Sequence, residues 1–241
     1  MKGILDFSYM IESVPAIAKG IPVSISIAVV AFGFGIVIGL IGALAKIYNI
    51  PVLKQITAVY VSFIRGTPLL VQIFLSYYGI PLVIRYFNFQ YGTEWNISFI
   101  PAIYFIYVAF SLNAGAYLTE TIRSAILSVD RGQIEASYSV GMTTYQSLKR
   151  IILPQALKVG LPNIGNQFIA LLKDTSLAFA ASVPEIIGMA KIIAGRTSQF
   201  FEVYIVAALM YWAICIVLER AMALLETRLR RNERGVQNDR N

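Results

Sequence analysis

From Ile21 to Ala45 the chain runs IPVSISIAVVAFGFGIVIGLIGALA without one charged side chain. Coiled at about 1.5 Å per residue, a helix of that length outreaches the roughly 30 Å hydrocarbon core of a bilayer. Further apolar stretches at 68–87, 97–118, 163–182 and 202–218 repeat the pattern at shorter length. With 57% hydrophobic and 14% charged residues and a mean hydropathy of +0.68, the 241 residues are too apolar for a soluble domain of this size. The expected fold is all-α and integral to the membrane, with five transmembrane helices at 21–45, 68–87, 97–118, 163–182 and 202–218 in a single domain over 1–241.

Composition also excludes chemistry. The chain has no histidine, one cysteine (Cys215) and no Gly-x-Ser-x-Gly turn, so no catalytic residue and no metal site is assigned and an enzyme is not expected. No Gly-x-x-x-x-Gly-Lys-Ser/Thr loop occurs, so the chain is not expected to bind ATP itself. A net charge of +7 follows from basic residues flanking membrane spans and calls for no nucleic acid. Residues 1–19 lack the order of charge, apolar core and small residues that marks a cleaved signal peptide.

Between the first two spans, 46–65 reads as an amphipathic helix at the membrane edge, with Val52, Ile56, Val59, Tyr60 and Phe63 on one side. Arg65-Gly66-Thr67-Pro68 then breaks the chain, Thr67 suiting a cap and Pro68 a first helical turn, so span two is expected to open at Pro68. Gly79 and Pro81 should bend that span near its far end, and Asn113 in span three must find a partner. Gly35 and Gly39 either seat a neighbouring helix or reflect the general tolerance of membrane helices for glycine. From Glu219 onward the charged tail is expected to begin helical and then fray.

The stretch DRGQIEASYSVGMTTYQSLKRIILPQALKVGLP, residues 130–162, is polar and charged between long apolar runs. Asp130 with Gln133 suggests a box-like helix start, Gly141 a stop, Thr143 with Gln146 a second start, and Pro154 a second stop. Ile134 and Tyr138 mark an apolar face on the first helix, and Leu148, Ile151 and Ile152 one on the second. An ordinary helical hairpin satisfies this periodicity. The offsets Glu135-Ala136-Ser137, Gly141, Ile151 and Leu153-Pro154 also resemble, interval by interval, the EAA loop of ABC-importer permeases, with Ser137 where that family usually has alanine. The resemblance implies the type I ABC importer permease fold and a cytoplasmic coupling helix, in a loop of about 119–162, that docks on an ATPase through Glu135, Ala136, Ser137 and Gly141. A large side chain at Ala136, Ser137 or Gly141 would hold the two proteins apart.

Lysine and arginine placement orients the chain. With the N-terminus outside, fourteen of the twenty basic residues fall in the loops 46–65 and 119–162 and in the tail, all cytoplasmic; five lie outside and Lys173 lies within a span. The C-terminus is then cytoplasmic. Lys173 and Asp174 sit mid-span, where an ion costs at least a few kcal/mol, so they face the protein interior or water. They either pair between helices or line a translocation path, taking the carboxylate of a zwitterion at Lys173 and its ammonium at Asp174. Gln167, Thr175 and Ser176 extend that polar stripe, and Gln72 and Asn113 are the candidates on the other spans.

FIRGTPLLVQIF is similar to the RGTP segment of amino-acid permeases, and FIALLKDTSLA with Val183-Pro184-Glu185 looks most like permeases for cystine and related polar amino acids. The neutral Gln167, where basic-amino-acid members are expected to carry glutamate, points away from an arginine-type substrate. The resemblance implies a multi-pass bacterial inner or plasma membrane protein that moves a polar amino acid, L-cystine or a related zwitterion. Its implied partners are cytoplasmic ATPase subunits holding ATP and Mg, a second permease copy or paralogue, and an extracytoplasmic amino-acid-binding protein. Membrane lipid surrounds it, and no nucleic acid is expected. An ion-coupled secondary amino-acid transporter is the alternative, although five spans divide into no two similar halves.

Overall fold

The computed structural model describes residues 5–97 and 99–238, with side chains to Arg228. Lys2 and Arg240, both used in the charge balance, lie outside the described residues. Among the described residues there is helix and no strand.

A short amphipathic helix, α1 (Phe7–Ala18), starts on Asp6, whose side chain accepts from the Tyr9 N–H at 3.0 Å. The uncharged run is α2 (Ile21–Ile47). α3 (Leu53–Gly66) is followed by α4 (Leu69–Phe74), a π-helical turn Leu75–Gly79 and α5 (Ile80–Tyr91). α6 covers Ala102–Leu127 and α7 Arg131–Ser139. One turn, α8 (Thr144–Ser147), continues through a second π-helical turn, Leu148–Ile152, into α9 (Leu153–Asp174), which tightens to a 3-10 helix over Thr175–Ala181. α10 (Ile186–Thr197) and α11 (Phe200–Asn238) complete the chain.

α2, α4–α5, α6 and α11 are each long and apolar enough to cross a membrane. The bent pair Thr144–Ala181 and Ile186–Thr197, which meet at 46°, is a fifth candidate when counted as one span. The break falls at Ser182, whose φ of 59° is left-handed.

The most extensive packing joins α2 to α6. Gly35, Gly39 and Gly42 are buried along it, and a Cβ on Gly35 would stand 2.7 Å from Ala114 Cβ, one on Gly39 2.7 Å from Leu118 Cβ. The glycine pair therefore seats a helix, and Gly33, with open space around it, does not. Where the C-terminal end of α2 meets α6 the two helices are tied by charge: Glu120 accepts from Lys46 of α2 and pairs with Arg123 Nη2 at 2.9 Å.

Several expected boundaries move. α3 exposes most of its apolar stripe and packs its other side on the bundle: its Thr57 reaches Gly42, its Tyr60 hydroxyl donates to Leu112 O at 2.5 Å, and Val61 and Ile64 pack on Ala116. The second candidate span opens at Leu69, one residue past the expected Pro68, after the Arg65–Pro68 break that separates α3 from α4. Thr67 caps the end of α3, its hydroxyl donating to Phe63 O at 2.9 Å, instead of starting α4. Pro154 does not stop the second coupling helix, because its missing N–H falls just past the Leu148–Ile152 π-turn, where the ladder has already slipped register. The π-turn before Pro81 absorbs that proline in the same way. The tail does not fray within the described residues: α11 runs unbroken to Asn238.

Candidate functional site

A cavity of about 280 Å³ opens between the Arg65–Pro68 break and helices α2, α6 and α9. Its wall includes Phe32, Thr67, Pro68, Asn113, Tyr117, Gln167 and Asp174. Phe32 and Asn113 lie near the midpoints of α2 and α6, so the cavity and the Arg65–Pro68 break are at mid-depth of the bundle. Non-helical backbone is tolerated at that depth only where protein satisfies it or water reaches it.

Gln72 does the satisfying. It is 6% exposed, and its Nε2 donates to Ile64 O at 2.8 Å and Thr67 O at 3.0 Å, the carbonyls the break sets free. Those carbonyls only accept, so they fix which way the amide points. Gln72 Oε1 must then face Asn113, whose Nδ2 donates to it at 3.0 Å. Asn113 has found the partner its position demanded, and Gln72 itself is a clamp behind the cavity wall, not a part of it.

On α9, Gln167 Nε2 donates to Thr121 Oγ1, while Gln167 Oε1 is buried and has no partner. Asp174 is exposed toward the cavity and Lys173 is exposed beside it but is not part of its wall; it acts electrostatically on Asp174 and on Cys215 of α11. Neither Lys173 nor Asp174 enters an ion pair or a hydrogen bond among the described residues of this chain. Thr175 turns inward: it is fully buried and its hydroxyl donates to Leu172 O at 2.6 Å. Ser176 is half-buried and outside the cavity wall.

One more charge stands at this level. Arg65, in the last turn of α3, is exposed, and its guanidinium carbon lies 5.4 Å from the centre of the Tyr117 ring. A cation at a helix C-terminus gains about 0.3–1 kcal/mol from the helix dipole, against about 2.5–3.5 kcal/mol for a charge at the bilayer centre. The dipole alone does not hold Arg65 there.

A buried acid was not singled out from the sequence. Glu185 is 0% exposed in the turn after the Ser182 break. Its Oε1 accepts from Gly188 N at 2.7 Å and its Oε2 from the Tyr211 hydroxyl at 2.7 Å and Ser24 Oγ at 3.3 Å. The carboxylate thereby fastens α2, α10 and α11 at the point where the fourth crossing bends. The signal was present: a lone acid between apolar runs needs donors as much as Lys173 or Asp174 needs a partner.

At the other end of the molecule, Asp130 starts α7 by accepting from Gly132 N at 2.7 Å. No reciprocal bond from Gln133 forms there, whereas Thr143 and Gln146 make the full capping box. Gly141 ends α7 with φ at 79°, and a Cβ on it would meet nothing within 4 Å. Conformation, not crowding within this chain, requires glycine. Glu135 and Ala136 are exposed; Ser137 is buried, its hydroxyl 2.7 Å from that of Ser147. Serine in place of alanine thus pins α7 to α8. Ile134 packs with Ala125 and Val129 at the end of α6 and with Ile152 and Ala156 at the start of α9. α7 thus rests on the two helices that carry Asn113, Tyr117, Gln167 and Asp174.

Residues 35–231 match the family model described as the binding-protein-dependent transport system inner membrane component. The chain is 41% identical over 224 residues to a probable amino-acid ABC transporter permease protein, PatM, of Vibrio harveyi, covering 93% of this chain and 96% of that one. It is 42% identical over 218 residues to the L-cystine transport system permease protein TcyB of Bacillus subtilis, covering 90% and 88%. A crystal structure of an amino acid ABC transporter with histidines superposes with a TM-score of 0.79 at 34% identity, over 93% of this chain and 99% of that one. An inward-facing MetNI methionine ABC transporter, at 18% identity and a TM-score of 0.68, shares the fold. The chain therefore belongs to the binding-protein-dependent transport system inner membrane components, has the type I ABC importer permease fold, and groups among the permeases named for amino acids.

Proposed function

We propose that this chain is the permease subunit of an ATP-driven importer and forms the path of a polar zwitterionic amino acid, L-cystine or a close relative. The observation that carries the reading is the mid-depth cavity whose wall brings together Asp174, Gln167 and Asn113. Asp174 is an anion, the complement of an ammonium group, and the two amides add hydrogen-bonding groups. Similarity to permeases named for L-cystine, TcyB and also TcyL at 36% identity, favours that substrate. Nothing in the comparisons favours an ion-coupled mechanism.

In this reading α7 docks on a cytoplasmic ATPase that holds ATP and Mg through the exposed Glu135, Ala136 and Gly141, while the buried Ser137 holds α7 to α8 behind that surface. Motion of α7 passes through Ile134 to α6 and α9 and reshapes the cavity between them. A second permease, copy or paralogue, closes the exposed charged face, and an extracytoplasmic binding protein delivers substrate. The membrane is the bacterial inner or plasma membrane, with the N-terminus outside and the C-terminus cytoplasmic. The test is uptake into proteoliposomes containing defined permease, ATPase and binding protein, with a panel of labelled amino acids. ATP-dependent uptake of L-cystine or another neutral zwitterion supports the assignment. Uptake driven by an ion gradient without the ATPase contradicts it.

A further inference from the structure

We propose that Arg65 recognises the carboxylate of the transported amino acid, opposite the ammonium site at Asp174. The inference rests on the zwitterionic substrate proposed above and adds the residue that takes its negative end. The cavity wall carries one anion, Asp174, and no cation. A zwitterion placed against it has its ammonium satisfied and its carboxylate exposed to low dielectric. Two cations stand nearby at mid-depth. Lys173 is outside the cavity wall and adjacent on α9 to Asp174, which is in it, and adjacent helical positions diverge by about 100°. Arg65 instead lies over Tyr117, which lines the cavity one helical turn from Asn113. It has no ion pair and no hydrogen bond among the described residues, so its planar fork of donors is available. The contact with the Tyr117 ring, 5.4 Å from the guanidinium carbon to the centroid, ties Arg65 to a residue of the cavity wall without consuming those donors. The position is also fixed from behind: Gln72 binds the carbonyl of Ile64, the residue before Arg65, and that of Thr67, two residues after it.

The binding protein selects its own ligand, so the test uses the purified permease–ATPase complex without it. Binding is read by scintillation proximity with the amino acid that wild type binds best among labelled L-cystine, L-glutamine, L-glutamate and L-arginine. The unlabelled amino acid and its decarboxylated amine serve as competitors. Arg65→Gln is expected to weaken binding of the amino acid about tenfold or more while leaving competition by the amine unchanged, the loss of one charge-assisted, bidentate contact. Arg65→Lys, which keeps the charge and loses the fork, is expected to fall between, and supplies the same readout if Arg65→Gln does not assemble. An unchanged preference for the amino acid over its amine in these variants overturns the inference, as does an equal loss of both ligands, which marks a structural role or a contact with the second permease. A wild-type complex that binds none of the four contradicts the zwitterion reading itself and removes the inference with it.

Discussion

Asn113 Nδ2 donates to Gln72 Oε1 across 3.0 Å, joining a residue of the cavity wall to the side chain that holds the Arg65–Pro68 break together. Gln72→Leu strands the carbonyls of Ile64 and Thr67 and the Asn113 amide, at about 1–3 kcal/mol for each buried group left unpaired. The thermal midpoint of the purified complex is expected to fall, and an unchanged midpoint removes the clamp.

The α2–α6 seam has no room for a side chain at Gly39, where a Cβ would stand 3.0 Å from the carbonyl carbon of Leu118. Gly39→Leu should cost about 1–3 kcal/mol or more through overpacking and lower the yield of assembled complex. Gly33→Leu, six residues away in open space, should be silent within about 0.5 kcal/mol. Equal effects in a side-by-side melting experiment contradict the seam.

At Gly141 the left-handed backbone, not space, sets the penalty. Gly141→Ala is expected to cost about 1–2 kcal/mol locally and Gly141→Asn less. Ala136→Trp tests docking without that strain, since Ala136 is exposed in this chain. It should leave the permease inserted and abolish substrate-stimulated ATP hydrolysis. Normal stimulation by this variant contradicts the docking surface.

How far the sequence could be read varied with the kind of signal. Gly141 and the Thr143–Gln146 box were legible because caps are local chemistry. Pro154 misled because a π-turn, set by non-local packing, makes room for the proline without ending the helix. The apolar stripe of α3 was legible, but not what the opposite side does: the stripe is the outer face, with Val59 71% exposed, while Thr57 is buried at 5% against the bundle. In a bilayer the surroundings are as apolar as the core, so an apolar face does not say which way is in. Charged positions marked Lys173 and Asp174 from sequence. Only tertiary structure separates Asp174 at the cavity from Lys173 beside it, or sets Arg65 against Tyr117 of the same wall.

Orientation has its own check. A tag at the N-terminus should be accessible from outside the cell and one at the C-terminus only from the cytoplasm, because, with Arg65 at mid-depth set aside, the loops 46–65 and 119–162 and the tail still hold thirteen of the twenty basic residues. Protease access to both tags from one side contradicts an odd number of crossings.

The central claim is that the cavity around Asp174 is the substrate path of an ATP-driven permease. Its most direct test is labelled amino-acid uptake by Asp174→Asn in reconstituted proteoliposomes, with complex yield and ATPase rate taken on the same preparation. Asparagine keeps the shape and removes the charge that meets an ammonium, a loss of about 1.5–3 kcal/mol, or tenfold and more in uptake. The account predicts normal yield, ATP hydrolysis retained and uptake reduced at least about tenfold, with Lys173→Met, outside the cavity wall, losing less. Wild-type uptake by Asp174→Asn, or a loss confined to the amount of assembled complex, contradicts it.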